Sequence, residues 1–281
     1  MNAIERIRGV VFGGLGTLVL FTFVVNLLLL IQPVYMLQVY DRVLASGSVD
    51  TLLYVSLMAA GALALLGILD AVRGVIAGRM GARIEVVAAD DAMLAALNGP
   101  RATIGDVQPL RDLQAVRSFV GGRAIFGYLD LPFAPVFIAI LWFIHPVLFA
   151  LTLVGALVLT LLAFLNQWAT ARAGREASEQ GVGAMLAAQS FVRNSESIRA
   201  MGMVGNVIAS WGRAEARSLT AQDRMNRINS WFAGLSKTLR MGLQIAILGV
   251  GGYLVLQREI TGGMIFAASL IAGRGLQPID Q

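Results

Sequence analysis

Leu131 to Ala171 is a run of 41 residues without an acidic residue, a lysine or an arginine. As one helix it would be about 60 Å long, twice the roughly 30 Å of a bilayer's hydrocarbon core, so it must fold back on itself. The break falls at His145-Pro146, because the residue before a proline is pushed away from helical angles. His145 then sits at a tight outer turn and is expected to face solvent. Trp142 and Trp168 fall at opposite interfaces, as a membrane hairpin requires.

The second arm of that hairpin does not end with its apolar run. Pro146 to Ile198 is 53 residues without an internal proline, and Gly205 to Gln257 is another 53. Each would reach about 80 Å, so both must project far from the bilayer, and Asn194 to Val207 is the turn at their tip. Val182, Met185, Leu186 and Val192 share one face, while Arg172/Glu176 and Arg175/Glu179 are i,i+4 pairs on the polar side. This is the pattern of a helix packed against partners in water.

Upstream, Val10 to Ile31 carries no charge and is long enough to span; the helix is expected to run past Pro33 to about Gln38, with Tyr40 to Asp50 as a short outer loop. A second helix runs from Thr51 to Asn98, about 70 Å, with Asp70 and Arg73 read as a pair at the inner surface and Asn98-Gly99-Pro100 as its stop. A third helix restarts near Pro109. The spans are therefore placed at about 10–38, 51–72, 124–144, 146–169, 237–257 and 261–281, with cytoplasmic excursions at about 73–123 and 170–236. Nineteen of the 22 cationic residues fall on the side of the excursions, and only Arg42 and Arg258 lie outside. The amino terminus is thus expected in the cytoplasm.

Composition closes off other classes. At 57% hydrophobic and 14% charged the chain is too apolar for an ordinary soluble domain. Lacking cysteine and holding one histidine, it offers no ligand set for zinc, haem or iron–sulfur chemistry. The pI near 10.2 reports membrane topology, so membrane lipid is an expected partner and nucleic acid is not. Nor do the spans hold a set of nucleophile, base or metal ligands for an intramembrane enzyme. Gly74-x-x-x-Gly78 and Gly9-x-x-x-Gly13 permit close helix packing.

The wording of several segments is more specific. Gln32-Pro33-Val34-Tyr35-Met36, Val39-Tyr40-Asp41-Arg42-Val43-Leu44, Leu110-Arg111-Asp112-Leu113, Asp130-Leu131-Pro132-Phe133-Ala134-Pro135, His145-Pro146, Arg199-Ala200-Met201-Gly202-Met203 and Gly273-Arg274-Gly275-Leu276-Gln277-Pro278-Ile279-Asp280-Gln281 resemble the type I secretion permease/ATPase family of ABC exporters. The likeness extends over essentially the whole chain and is to the branch without an amino-terminal peptidase-like domain. It implies an all-α integral membrane fold: a six-helix exporter domain with long cytoplasmic extensions and two coupling helices, assembled as a domain-swapped homodimer in the bacterial inner membrane. It further implies export of unfolded proteins bearing a C-terminal signal, such as calcium-binding repeat proteases or lipases, together with a periplasmic adaptor (membrane fusion) protein and an outer-membrane channel. The residues implied to couple to an ATPase are Leu97, Asn98, Gly99, Ala200, Met201, Gly202 and Met203.

These 281 residues contain no G-x-x-x-x-G-K-[ST] phosphate loop, and the single lysine, Lys237, follows Ser236 with no glycine cradle. ATP and magnesium are therefore expected to belong to a separate nucleotide-binding domain, and the sequence reads as a truncated product. A permease served by an ATPase in trans, or a scaffold subunit that has lost its ATPase, are the alternatives. Two residue groups suggest further roles. Arg213, Arg217, Arg224 and Arg227 stay within about 80° of one another on a helix and form a basic stripe that would attract acidic cargo if it faced an inner vestibule. A solvated or headgroup-facing surface is the competing reading. Pro132 and Pro135 would bend the third helix, as a hinge or as a static kink.

Overall fold

The computed structural model describes residues 3–98 and 108–280, and every regular element among them is helical. The described chain divides into two compact units, one holding residues 3–98, 108–157 and 240–280, the other residues 158–239.

The first unit opens with α1 (Ala3–Leu28), a turn at Leu29-Leu30, and α2 (Ile31–Gln38). The loop expected over Tyr40 to Asp50 is instead mostly helical. A π-helical turn (Val39–Val43) leads into α3 (Leu44–Ser46), and only Gly47, at φ +65°, and Ser48 break the path. Nothing before Gly47 forbids helical angles, so the helical path runs on through Tyr40-Asp41-Arg42. Ser48 Oγ then accepts from the Thr51 N–H at 3.2 Å and caps α4 (Val49–Asn98).

The third helix is not continuous. It consists of α5 (Gln108–Gly121), a bend at Gly122-Arg123, α6 (Ala124–Asp130), a 3-10 turn (Leu131–Phe133) and α7 (Ala134–Ile144). His145 is extended (φ −162°, ψ 134°), and α8 (Pro146–Arg193) starts on the following proline. After the tip come α10 (Val204–Leu256) and α11 (Gly262–Asp280).

Packing within the first unit pairs α4 with α1 and α5, and α11 with α7 and α2. One buried cluster joins Leu18, Ala77, Met80, Ile84 and Ile125; another joins Leu141, Leu148, Ile247, Leu254 and Ala268 with their neighbours. The close approach is made by Gly81, where a Cβ would lie 2.8 Å from the Arg117 carbonyl oxygen and 3.1 Å from the Gly121 nitrogen. At Gly74, by contrast, a Cβ would meet nothing within 4 Å.

Five stretches, Gly13–Ser46, Val49–Asn98, Ala124–Ile144, Pro146–Arg193 and Val204–Leu256, are long and apolar enough to cross a membrane. The remaining candidate, α11, has 19 residues, and its second half carries Arg274 and Gln277. None of the most apolar part of α4 is buried within the chain, and Leu57 and Met58 are 68% and 76% exposed. Such a surface is stable only against hydrocarbon or another protein.

Candidate functional site

The tip of the second unit is built by two breaks in the helical path. At the end of α8, Asn194 leaves helical angles, and its Nδ2 donates to the Ser190 carbonyl at 2.9 Å. A short helix, α9 (Ser195–Ala200), follows. It closes with Gly202 at φ +66°, the Gly202 N–H donating to the Arg199 carbonyl and the Met203 N–H to the Ile198 carbonyl, both at 3.0 Å. This paired C-terminal bonding needs a left-handed residue, which glycine adopts without steric penalty. The tip helix thus lies one turn before Met201, Gly202 and Met203; of the four residues singled out here, only Ala200 is helical. Met201 is 63% exposed and Ile208 62%, which leaves flexible apolar surface beside α9. In the first unit α4 ends at Leu97 and Asn98, both exposed; Gly99 lies outside the described residues.

A second constellation centres on Arg73, which is only 5% exposed. Its guanidinium donates to Asp70 Oδ1 at 2.8 Å, to Asp130 Oδ1 at 3.2 Å and to Thr22 Oγ1 at 3.4 Å, and it lies 4.1 Å from the centre of the Phe126 ring. Asn26 Nδ2 donates to the same Asp130 oxygen, Oδ1, at 2.8 Å. The pairing expected of Asp70 and Arg73 forms, with Asp70 exposed, but Arg73 is sunk among α1, α4 and α6 and is also held by a second acid 57 residues away. Burying a guanidinium costs several kcal/mol unless partners surround it, and here Nε alone has none. A cavity of about 260 Å³, lined by Asn26, Asp70, Arg73, Asp130, Arg274 and Gln277, adjoins the group.

The opposite end of the unit explains two of the sequence signatures. Asp41, aimed by the π turn, accepts from the Gly263 N–H at 2.9 Å and from the Thr261 hydroxyl, which caps the start of α11. A Cβ on Gly263 would come within 2.9 Å of all three carboxylate atoms, so this position must stay glycine for the contact to form. Tyr40 stacks on Phe266 with ring centres 4.4 Å apart. His145 does not simply face solvent: its ring is 18% exposed, Nε2 lies 2.9 Å from Glu259 and Nδ1 accepts from the Val147 N–H. Sequence reasoning gave no role to Asn26, Asp130 or Glu259, although Asn26 and Asp130 are each a lone polar residue beside an apolar run.

Arg213, Arg217, Arg224 and Arg227 are all exposed on α10 within the second unit. Pro132 lies in the 3-10 turn and Pro135 at the start of α7, so the helix is re-nucleated there after a change of winding. Lys237 sits in the middle of α10, where backbone N–H groups are already bonded and cannot cradle a phosphate.

Five helical stretches long and apolar enough to cross a membrane define a multi-pass membrane protein. The chain belongs to the ABC transporter transmembrane region family, whose model matches residues 15–276. It is 35% identical over 259 residues to the type I secretion system ATP-binding protein PrsD of Rhizobium meliloti (strain 1021), covering 91% of this chain and 44% of that protein. It is 23% identical to the alpha-hemolysin translocation ATP-binding protein HlyB of Escherichia coli O157:H7, covering 91% of this chain and 37% of the relative. With the leukotoxin translocation ATP-binding protein LktB of Mannheimia haemolytica the figures are 22%, 94% and 38%. The chain thus spans less than half the length of these relatives.

Proposed function

We propose that the chain is the membrane part of an ATP-driven type I protein exporter in a bacterial inner membrane, with its amino terminus in the cytoplasm. Its likeness along nine-tenths of its length to secretion and toxin-translocation proteins carries the reading. It works as a homodimer and passes unfolded protein with a C-terminal signal to a periplasmic adaptor and an outer-membrane channel. ATP and magnesium are held by a nucleotide-binding domain that docks at the tips.

The geometry of this chain supports its share of that work. Helices of 48 and 53 residues lead into and out of α9, so the tip helix is joined to helical chain on both sides without a long linker. Near the other end Asp41 pins α11 to the first hairpin, and His145 and Glu259 tie the turn between α7 and α8 to the loop between α10 and α11. The test is secretion by the source bacterium. Deletion of the gene should leave the exported protein inside the cell with its C-terminal signal intact, and a plasmid copy should restore export. Unchanged extracellular protein in the deletion strain would refute the exporter reading and favour a scaffold.

A further inference from the structure

In the second unit a Cβ on Gly174 would meet Met225, and one on Gly181 would meet Ser218, each at 3.4 Å. These contacts fix the register of antiparallel α8 and α10, because each pair of facing positions is separated by the same count along both helices. Six residues before Gly174 is Trp168, and six after Met225 is Trp231. The two tryptophans therefore stand at one level, and each is 77% exposed. The same register sets Arg172 level with Arg227, and Arg175 level with Arg224.

Direction along the helix matters as much as level. On α8, Leu161, Phe164, Trp168, Arg172 and Arg175 fall within about 80° of one another, and on α10 Trp231, Arg224 and Arg227 fall within about 60°; Leu235 lies about 40° from Trp231. Each outward stripe therefore changes from exposed apolar residues (Leu161 58%, Phe164 69%, Leu235 49%) to an exposed tryptophan and then to two arginines. The arginines lie about 6 and 10 Å beyond the tryptophans along the helix axis. No hydrogen bond or ion pair to another described residue occupies any of the four. Glu176 and Asp223 stand about 80° off their stripes, and Glu179 lies on the α8 stripe one turn beyond Arg175, about 16 Å past Trp168, which leaves a net charge of +1 on the seven residues.

Apolar surface, indole and guanidinium in that order match acyl chain, interface and phosphate of a lipid leaflet. We infer that Trp168, Arg172 and Arg175 on one face of the α8–α10 pair, and Trp231, Arg224 and Arg227 on the opposite face, each bind anionic phospholipid headgroups in the leaflet on the cytoplasmic side. Arg213 and Arg217, about 20 to 27 Å beyond Trp231, lie outside the headgroup region and further than salt lets a surface charge act.

The full chain carrying Trp142→Phe and Trp211→Phe keeps only these two of its four tryptophans. It would be placed in phosphatidylcholine vesicles containing phosphatidylglycerol, with bromine carried on the acyl chains of one lipid or the other. Quenching should report a preference for phosphatidylglycerol of about fivefold or more. The preference should fall towards unity in R172Q/R175Q/R224Q/R227Q and in about 1 M salt, and persist in R213Q/R217Q and in the four-lysine variant. Equal quenching by both lipids, a preference that survives the four glutamines, or no quenching by either because a second copy covers both faces would each overturn the inference.

Discussion

Arg73 shows how much of the first unit hangs on one side chain. Its partners come from three helices, so truncation strands Asp130 as an unpaired acid beside Asn26 and removes the bridge between α1, α4 and α6. Arg73→Ala should destabilise the detergent-solubilised protein by about 3 to 5 kcal/mol. Arg73→Met combined with Asp130→Leu should recover most of that loss, because no charge is then left buried. Thermal unfolding of both variants checks this; equal losses would mean that packing volume, not charge, is what the site supplies. Little of this was legible beforehand. Asp70 and Arg73 are neighbours in sequence and invited a local pairing, whereas Asp130 meets Arg73 only after the chain has turned twice.

Among the elements, long helices were the most legible where a residue with a backbone reason to stop marks an end. Asn98 precedes Gly99-Pro100, His145 precedes Pro146, and Gly202 takes the left-handed turn. Breaks without a proline were harder to read: Gly121-Gly122 looks like any glycine pair in an apolar helix. Its meaning comes from the neighbour, because the Gly121 backbone packs on α4 and a Cβ on Gly122 would lie 2.5 Å from the Ser118 carbonyl oxygen. The tip was located by length alone, but the six-residue α9 was not separable from the turn around it. Gly202→Val should cost about 1 to 2 kcal/mol locally by forcing a branched residue to positive φ. Amide exchange in α9 should then quicken while the apolar halves of α8 and α10 stay protected. Exchange as slow as in the parent would show that the Gly202 bonds do not hold the tip.

At the scale of the molecule, exposure of large apolar side chains decides what kind of particle this is. Phe143 at 88%, Leu256 at 85% and Met58 at 76% would each be unfavourable in water. Lipid covers some of this surface, and on the homodimer reading a second copy covers the rest. Native mass spectrometry from bilayer nanodiscs should then give about twice the 29.9 kDa chain mass plus retained lipid. A single-chain mass would remove the homodimer from the proposed function without touching the family.

One further consequence follows from the π turn at Val39–Val43. A π turn holds one residue more than the α-helical turn it replaces, so the chain there carries a spare step. Taking that step out would restore α-helical winding and rotate everything on one side of it by about 100° relative to the other. Asp41 would then swing off the start of α11 with its chemistry unaltered. The Tyr40-Asp41-Arg42 signature is therefore a matter of phase as well as of residue type, and a gap of one position here would do more harm than most replacements.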